Sequence, residues 1–286
     1  MIELCRQGIQ INAGSKLRDG NVIRLPDRGR VIITGDLHGH RRNFEKAAAF
    51  ADLEHNPDTY VIFQEILHGG LEDETGGCLS FRLFQDILRY QLRFPDRVFL
   101  VMGNHDTAII ADNDVLKAGK EMNAAMKVAM RRHFDEDYDT AMSALRAYLL
   151  SQPVAVRCPN RIWMSHSLPE EQFADRFDAT VFERKLLSGD MLRPEPLYKL
   201  TWGRRQSLAA IEKMRQLLNV DHFVVGHQPQ EDGWAVIGGH MIVLASDHNH
   251  GCMITFDLGR TYEFEELVNH IIPLAAVAGP ANGRVF

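Results

Sequence analysis

An α/β fold, with two sheets packed face to face between outer layers of helices, is predicted by three features of this sequence. Apolar strand-like runs alternate with helical patterns through the N-terminal half, which calls for right-handed crossovers and a mainly parallel sheet. The C-terminal half changes to short strands at close spacing, which reads as antiparallel pairing in a second sheet. The composition is ordinary for a globular chain, 286 residues with 45% hydrophobic and 24% charged, enough for one large core. With no repeat, low-complexity tract or linker in view, the chain reads as a single domain over 1–286.

Taken in order, VIIT (31–34) is a strand, and 41–53 is a helix with Phe44, Ala47, Ala48 and Ala51 at helical spacing. TYVIF (59–63) is the next strand. A helix follows in which Phe81, Phe84, Ile87, Leu88 and Gln91 recur every three to four residues. RVFLVM (97–102) is the third strand. Residues 113–150 are helical and richer in charge, a cap or an insertion. VAVRC (154–158), RIWMS (161–165), HFVVG (222–226), MIVLA (241–245) and CMITF (252–256) are the strands of the second sheet.

Several function classes recede on composition. A net charge of -6 argues against a large basic nucleic-acid footprint. The four cysteines, Cys5, Cys78, Cys158 and Cys252, are scattered, with no disulfide framework and no metal-type spacing. MIELCRQGIQ lacks the basic-then-apolar order of a signal peptide, and no apolar run approaches a membrane span. A cytoplasmic protein without a membrane partner is expected.

Ligands of open α/β sheets bind beyond the carboxyl ends of the strands. Those ends deliver Asp36 and His38, then Gln64, Glu65 and His68, then Asn104, His105 and Asp106, then His166, then His227. Each alone reads as a polar turn; their shared position in successive strands does not. Imidazole, carboxylate and amide oxygen together suit Mn, Fe, Zn or Ni better than Ca²⁺, which prefers oxygen alone.

GDLHGH, GNHD, SHS and GHQP, in that order, resemble the calcineurin-like metallophosphoesterases, most closely the Ser/Thr phosphoprotein phosphatase branch and its bacterial members. The resemblance runs from Val31 to about Asp257. It implies a two-sheet sandwich flanked by helices, carrying two divalent metal ions. Asp36 and His38 match ligands of the first metal; Asn104, His166 and His227 match ligands of the second, with Asn104 also near the phosphate. Glu65 stands where an aspartate bridges the metals. His105 matches the catalytic histidine that gives a proton to the leaving oxygen, and Asp106 is a candidate to orient its ring. TWGRR (201–205) resembles a W-x-R segment, making Arg204 a phosphate clamp, a role suited to the guanidinium fork. Activity by metal-activated hydroxide on a phosphorylated protein, nucleotide or small molecule follows from the resemblance. A dinucleoside polyphosphate hydrolase, and a weak or inactive relative acting as a binding module, are the alternatives.

The second motif departs from the family's GD-x-x-DRG. QEILHGG (64–70) puts Gln64 for Gly, Glu65 for Asp, His68 for the Asp that orients the catalytic histidine, and Gly69 for a phosphate-binding Arg. Glu65 keeps the carboxylate but has a methylene to absorb. Restoring Asp at 68 with Arg at 69 is expected to raise kcat/KM. His248 or His250 of SDHNHG (246–251) is a candidate replacement for the lost phosphate contact. Arg41 and Arg42, at a helix start, are read as solvent-exposed, and His240 as a poorer ligand than His227.

Overall fold

Side chains of a strand alternate between its two faces, and in the strand Arg30–Asp36 both faces are covered. Val31 and Ile33 enter an apolar cluster with Ile62, Val101, Met164, Val224 and Ile254, which lies between the sheets. Ile32 joins the cluster holding Phe44 and Phe84 of the flanking helices. Burial on both faces removes the polar half of the pattern, so VIIT reads as a continuous apolar run.

The computed structural model describes residues 1–117 and 119–280. One sheet has five strands in the order Ile271–Pro273, Cys252–Asp257, Arg30–Asp36, Thr59–Gln64, Val98–Val101. The last three run parallel, as strand–helix–strand alternation requires. The other has seven, in the order Arg18–Asp19, Val22–Arg24, Ala155–Arg157, Ile162–Ser165, His222–Val225, Met241–Leu244, Trp234–Ile237. Two mixed sheets between helices confirm the predicted class.

One pairing is corrected. Met241–Leu244 and Cys252–Asp257 do not form a hairpin in the second sheet. Cys252–Asp257 lies antiparallel to Arg30–Asp36 in the first, while Met241–Leu244 runs parallel to His222–Val225. The intervening loop carries the chain from one sheet to the other, so proximity in sequence misleads. Ala245 bridges to Asp36, and the Ser246 hydroxyl accepts from the Gly35 N–H at 2.9 Å, joining the two sheets at this point. The antiparallel neighbour of Met241–Leu244 is Trp234–Ile237, a partly exposed edge strand that the predicted set leaves unmarked.

The helix Ile2–Gly14, also unmarked, packs against Ser80–Arg93 and Tyr138–Ser151. A buried polar chain joins all three: Tyr148 Oη donates to Gln91 Oε1 at 2.8 Å, and Gln91 Nε2 donates to Asn12 Oδ1 at 3.0 Å. This explains a glutamine on an otherwise apolar helix face, because a buried amide needs its partners. In the 113–150 segment, helices Met122–Phe134 and Tyr138–Ser151 bury Met126, Leu145 and Tyr148 in the same cluster as Phe84. Among the described residues, no helix is long and apolar enough to cross a membrane.

Candidate active site

The chain turns abruptly where its strands end. His38 (φ 40°), Glu65 (45°), His68 (68°) and His227 (67°) all adopt the left-handed region just beyond a strand. Such a residue other than glycine costs about 1–3 kcal/mol. The packed sheets hold these turns, and the turns direct the side chains into one space.

Four polar atoms converge there from four different strand ends. His166 Nε2 lies 2.9 Å from Asn104 Oδ1, 3.1 Å from His227 Nδ1 and 3.6 Å from Glu65 Oε1. His227 Nδ1 and Asn104 Oδ1 are 2.8 Å apart. Beside them, His38 Nε2 stands 3.7 Å from Asp36 Oδ2, and ligand-type atoms of His38, Glu65 and His105 all fall within 4.8 Å of one another. Every one of these residues is buried.

Neighbouring backbone fixes the set. The His227 N–H donates to both oxygens of Asp36, at 3.0 and 3.1 Å, and the His105 N–H donates to Glu65 Oε1 at 3.0 Å. His38 Nδ1 faces the Leu67 carbonyl at 3.1 Å. A carbonyl only accepts, so Nδ1 carries the ring proton and Nε2 the lone pair. The extra methylene of Glu65 is absorbed by Gly103: a Cβ there would lie 1.7 Å from Glu65 Oε1. The glycine of GNHD is thus the space that the longer carboxylate occupies.

Burial sets the protonation. It drives His166 well below the ordinary histidine range, helped by the nearby His227, His38 and Arg204. His227 is pushed down to about 3 by burial and then by the Arg204 charge. Both imidazoles are therefore neutral at pH 7, the form that binds a metal. The donor set fits a divalent cation: neutral nitrogens, an amide oxygen and carboxylates aimed at one point.

A cavity of about 350 Å³ opens onto this cluster, lined by Asp36, His38, His105, Arg204, His227 and Asp247 among others. Arg204 is exposed on its wall. Trp202 Nε1 donates to Thr107 Oγ1 at 3.1 Å, which ties the W-x-R segment to the helix Asn104–Ile110 that carries His105. The His105 ring lies 5.0 Å from that of His38 and 4.8 Å from that of His68.

Asp106 is held at the start of its helix. Its carboxylate turns back to accept from the Gly103 N–H at 3.1 Å and caps the helix, and burial raises its pKa. Position N3 of a helix is where an acidic side chain meets the unsatisfied N–H groups. His248 Nε2 faces the Gln230 carbonyl at 2.8 Å and His250 is exposed, so the loop 246–251 contributes Asp247 to the cavity instead. Arg41 is paired with Asp86 at 2.7 Å, and His240 faces Arg215 at 3.3 Å. Asp247 lies in SDHNHG, the segment in which the sequence points to the histidines.

Two mixed sheets between helices thus bring histidines, carboxylates and an amide together at their strand ends. The model of the calcineurin-like phosphoesterases matches residues 29–231, and the chain belongs to that family. A serine/threonine-protein phosphatase of Caenorhabditis elegans is 22% identical over 235 residues, which are 78% of this chain and 48% of that protein. The chain thus spans about half the length of that relative. A protein serine/threonine phosphatase structure from Saccharomyces cerevisiae is similar at a TM-score of 0.69 and 13% identity, covering 98% of this chain and 90% of that one. The structure of a cold-active protein tyrosine phosphatase gives a TM-score of 0.57 at 14% identity, covering 86% of this chain and 77% of its own. At such identities the likeness concerns the fold alone.

Proposed function

We propose that this protein is a metal-dependent phosphoesterase that hydrolyses phosphomonoesters in the cleft between His105 and Arg204. The observation that carries this reading is the meeting of His166 Nε2, His227 Nδ1 and Asn104 Oδ1 within 3.1 Å of one another. Two neutral, buried imidazole nitrogens and an amide oxygen so close together make a set of donors suited to a cation among them.

Asp36, His38 and Glu65 would hold one divalent ion, and Glu65, Asn104, His166 and His227 a second. Ions held there would lower the pKa of water and neutralise phosphoryl oxygens. His105, within reach of the same space, gives a proton to the leaving oxygen. Arg204 meets the remaining phosphate oxygens from the wall of the cavity, a contact its fork makes bidentate. Hydrolysis by this route needs no covalent phosphoenzyme. Mn, Fe, Zn and Ni all suit the donors.

Phosphoserine and phosphothreonine in proteins lead among the phosphomonoesters, on the strength of the Caenorhabditis elegans relative's name. We read the chain as one domain, with the 113–150 segment reaching the cleft through Val115. A cytoplasmic setting is supported by four buried, unpaired cysteines.

Hydrolysis of 4-nitrophenyl phosphate, with Mn²⁺ and then with chelator, tests the proposal. Turnover that rises with Mn²⁺, vanishes with chelator and returns on adding metal is the expected result. A protein that binds metal yet shows no turnover with any of the four metals is a phosphatase-fold binding module.

A further inference from the structure

Gln64 closes the strand Thr59–Gln64 and is fully buried. The family pattern has glycine at this position, which offers no side chain to its surroundings. Here the amide makes two hydrogen bonds, one at each end. Gln64 Nε2 donates to the Thr34 carbonyl at 2.9 Å, and Gln64 Oε1 lies 2.9 Å from His166 Nδ1.

These contacts determine a proton position. The Thr34 carbonyl only accepts, so the NH₂ end of the amide must face it. That leaves Oε1 facing His166, and an amide oxygen also only accepts. The His166 proton therefore sits on Nδ1, and Nε2 presents its lone pair to Asn104 Oδ1 at 2.9 Å and Glu65 Oε1 at 3.6 Å. Asp36 Oδ1, at 3.6 Å from His166 Nδ1, is too distant to hold the ring in this form itself. Without the amide, the ring gains by moving its proton to Nε2, where Asn104 Oδ1 accepts it. That tautomer closes the site, because the proton occupies the direction the cation needs.

We infer that Gln64 is a positioning residue, which locks His166 in its Nδ1–H tautomer and so keeps Nε2 aimed at the cation. The inference rests on the metal-centre reading above. A group that orients a ligating histidine is worth about 10–100-fold in metal affinity, and Gln64 supplies here what a glycine does not.

Ring-nitrogen ¹H–¹⁵N spectra of the metal-free protein, with the His166 signals assigned by their loss in His166→Asn, test the lock without any metal or turnover. Wild type shows Nδ1–H; Gln64→Leu, close to the same volume, shows a mixture or Nε2–H. In Mn²⁺ titration calorimetry Gln64→Leu binds about 10–100-fold more weakly, and Gln64→Glu, which keeps an acceptor at the same reach, recovers most of the loss. An Nε2–H tautomer in the wild type overturns the inference even if Gln64→Leu fails to fold. Equal affinity in wild type and a folded Gln64→Leu overturns it too, leaving the metal centre intact. A wild type that binds no Mn²⁺ overturns the centre itself, and the lock's function with it.

Discussion

The Nε2 atom of His166 and the Nδ1 atom of His227 lie 3.1 Å apart, from strands that are neighbours in one sheet but separated by some sixty residues of chain. Parallel pairing of Ile162–Ser165 with His222–Val225 sets the two strand ends side by side, and each histidine is the first or second residue beyond its strand. Both rings are neutral because burial opposes their charge.

This neutrality gives the metal-free protein an acid sensitivity. His227 falls to about 3 in the folded chain, against about 6.5 for an unfolded histidine. The unfolded chain takes up the proton first, so the stability is complete above pH 6.5 and is lost as pH falls from there towards 3. Between pH 7 and 5 one such group costs about 2 kcal/mol. Urea unfolding of metal-free wild type should lose that much more over this interval than His227→Gln does. Parallel losses in the two proteins would remove His227 from the account.

His105 is expected to act on the leaving group. His105→Ala should cut kcat by about 10²–10⁴-fold on an alkyl phosphate, the range of general acid–base groups. Aryl phosphates, whose leaving groups need little protonation, should suffer less. Metal content should hold. If instead a metal is lost, His105 belongs with His38 and Glu65 as a ligand, a role their mutual distances of 4.8 Å or less also allow.

Glu65 and Gly103 are expected to behave as a matched pair. A methyl group at 103 would sit 1.7 Å from Glu65 Oε1 and 2.4 Å from its Cδ. Gly103→Ala should therefore displace the carboxylate, cost about 1–3 kcal/mol as overpacking does, and lower the bound metal per chain. Thermal unfolding with metal analysis reads both effects. An unchanged metal count in Gly103→Ala would show that Glu65 does not bridge.

Restoring the family's second motif should fail at Gly69, contrary to the gain in kcat/KM that the sequence suggests. Gly69 has φ +87°, and a Cβ there would come within 2.6 Å of the His38 carbonyl. An arginine cannot enter without moving the backbone that holds His38. The change His68→Asp with Gly69→Arg should lose about 1–3 kcal/mol in urea unfolding and lower kcat/KM. His68→Asp alone should fold, since aspartate tolerates the left-handed φ of 68° better than most residues. A stable, more active double variant would mean that QEILHGG is a decayed motif after all.

That Asp36, His38, His166 and His227 lie at one edge was legible, because each follows an apolar run that can only be a strand, and strand ends in such sheets share one edge. The direction of the Asp106 carboxylate was not legible, for a geometric reason. Adjacent residues on a helix do not face the same way, so the acid beside His105 in sequence turns to cap the helix instead. The pairing of Cys252–Asp257 was lost because a loop of seven residues serves a hairpin or a passage between sheets equally well. Gln64 was visible as a departure, but its partner lies 102 residues further on and no local pattern names it. Asp247 entered the cavity through the same passage that hid the strand pairing.

A metal centre built from these side chains is tested most directly by anomalous diffraction at the manganese edge from crystals grown with saturating Mn²⁺. Two peaks about 3.5–4 Å apart are expected, as in other two-metal sites. One should be bound by Asp36, His38 and Glu65, the other by Glu65, Asn104, His166 Nε2 and His227 Nδ1. An empty cluster at saturating Mn²⁺, with His166 and His227 hydrogen-bonded to each other, would contradict it.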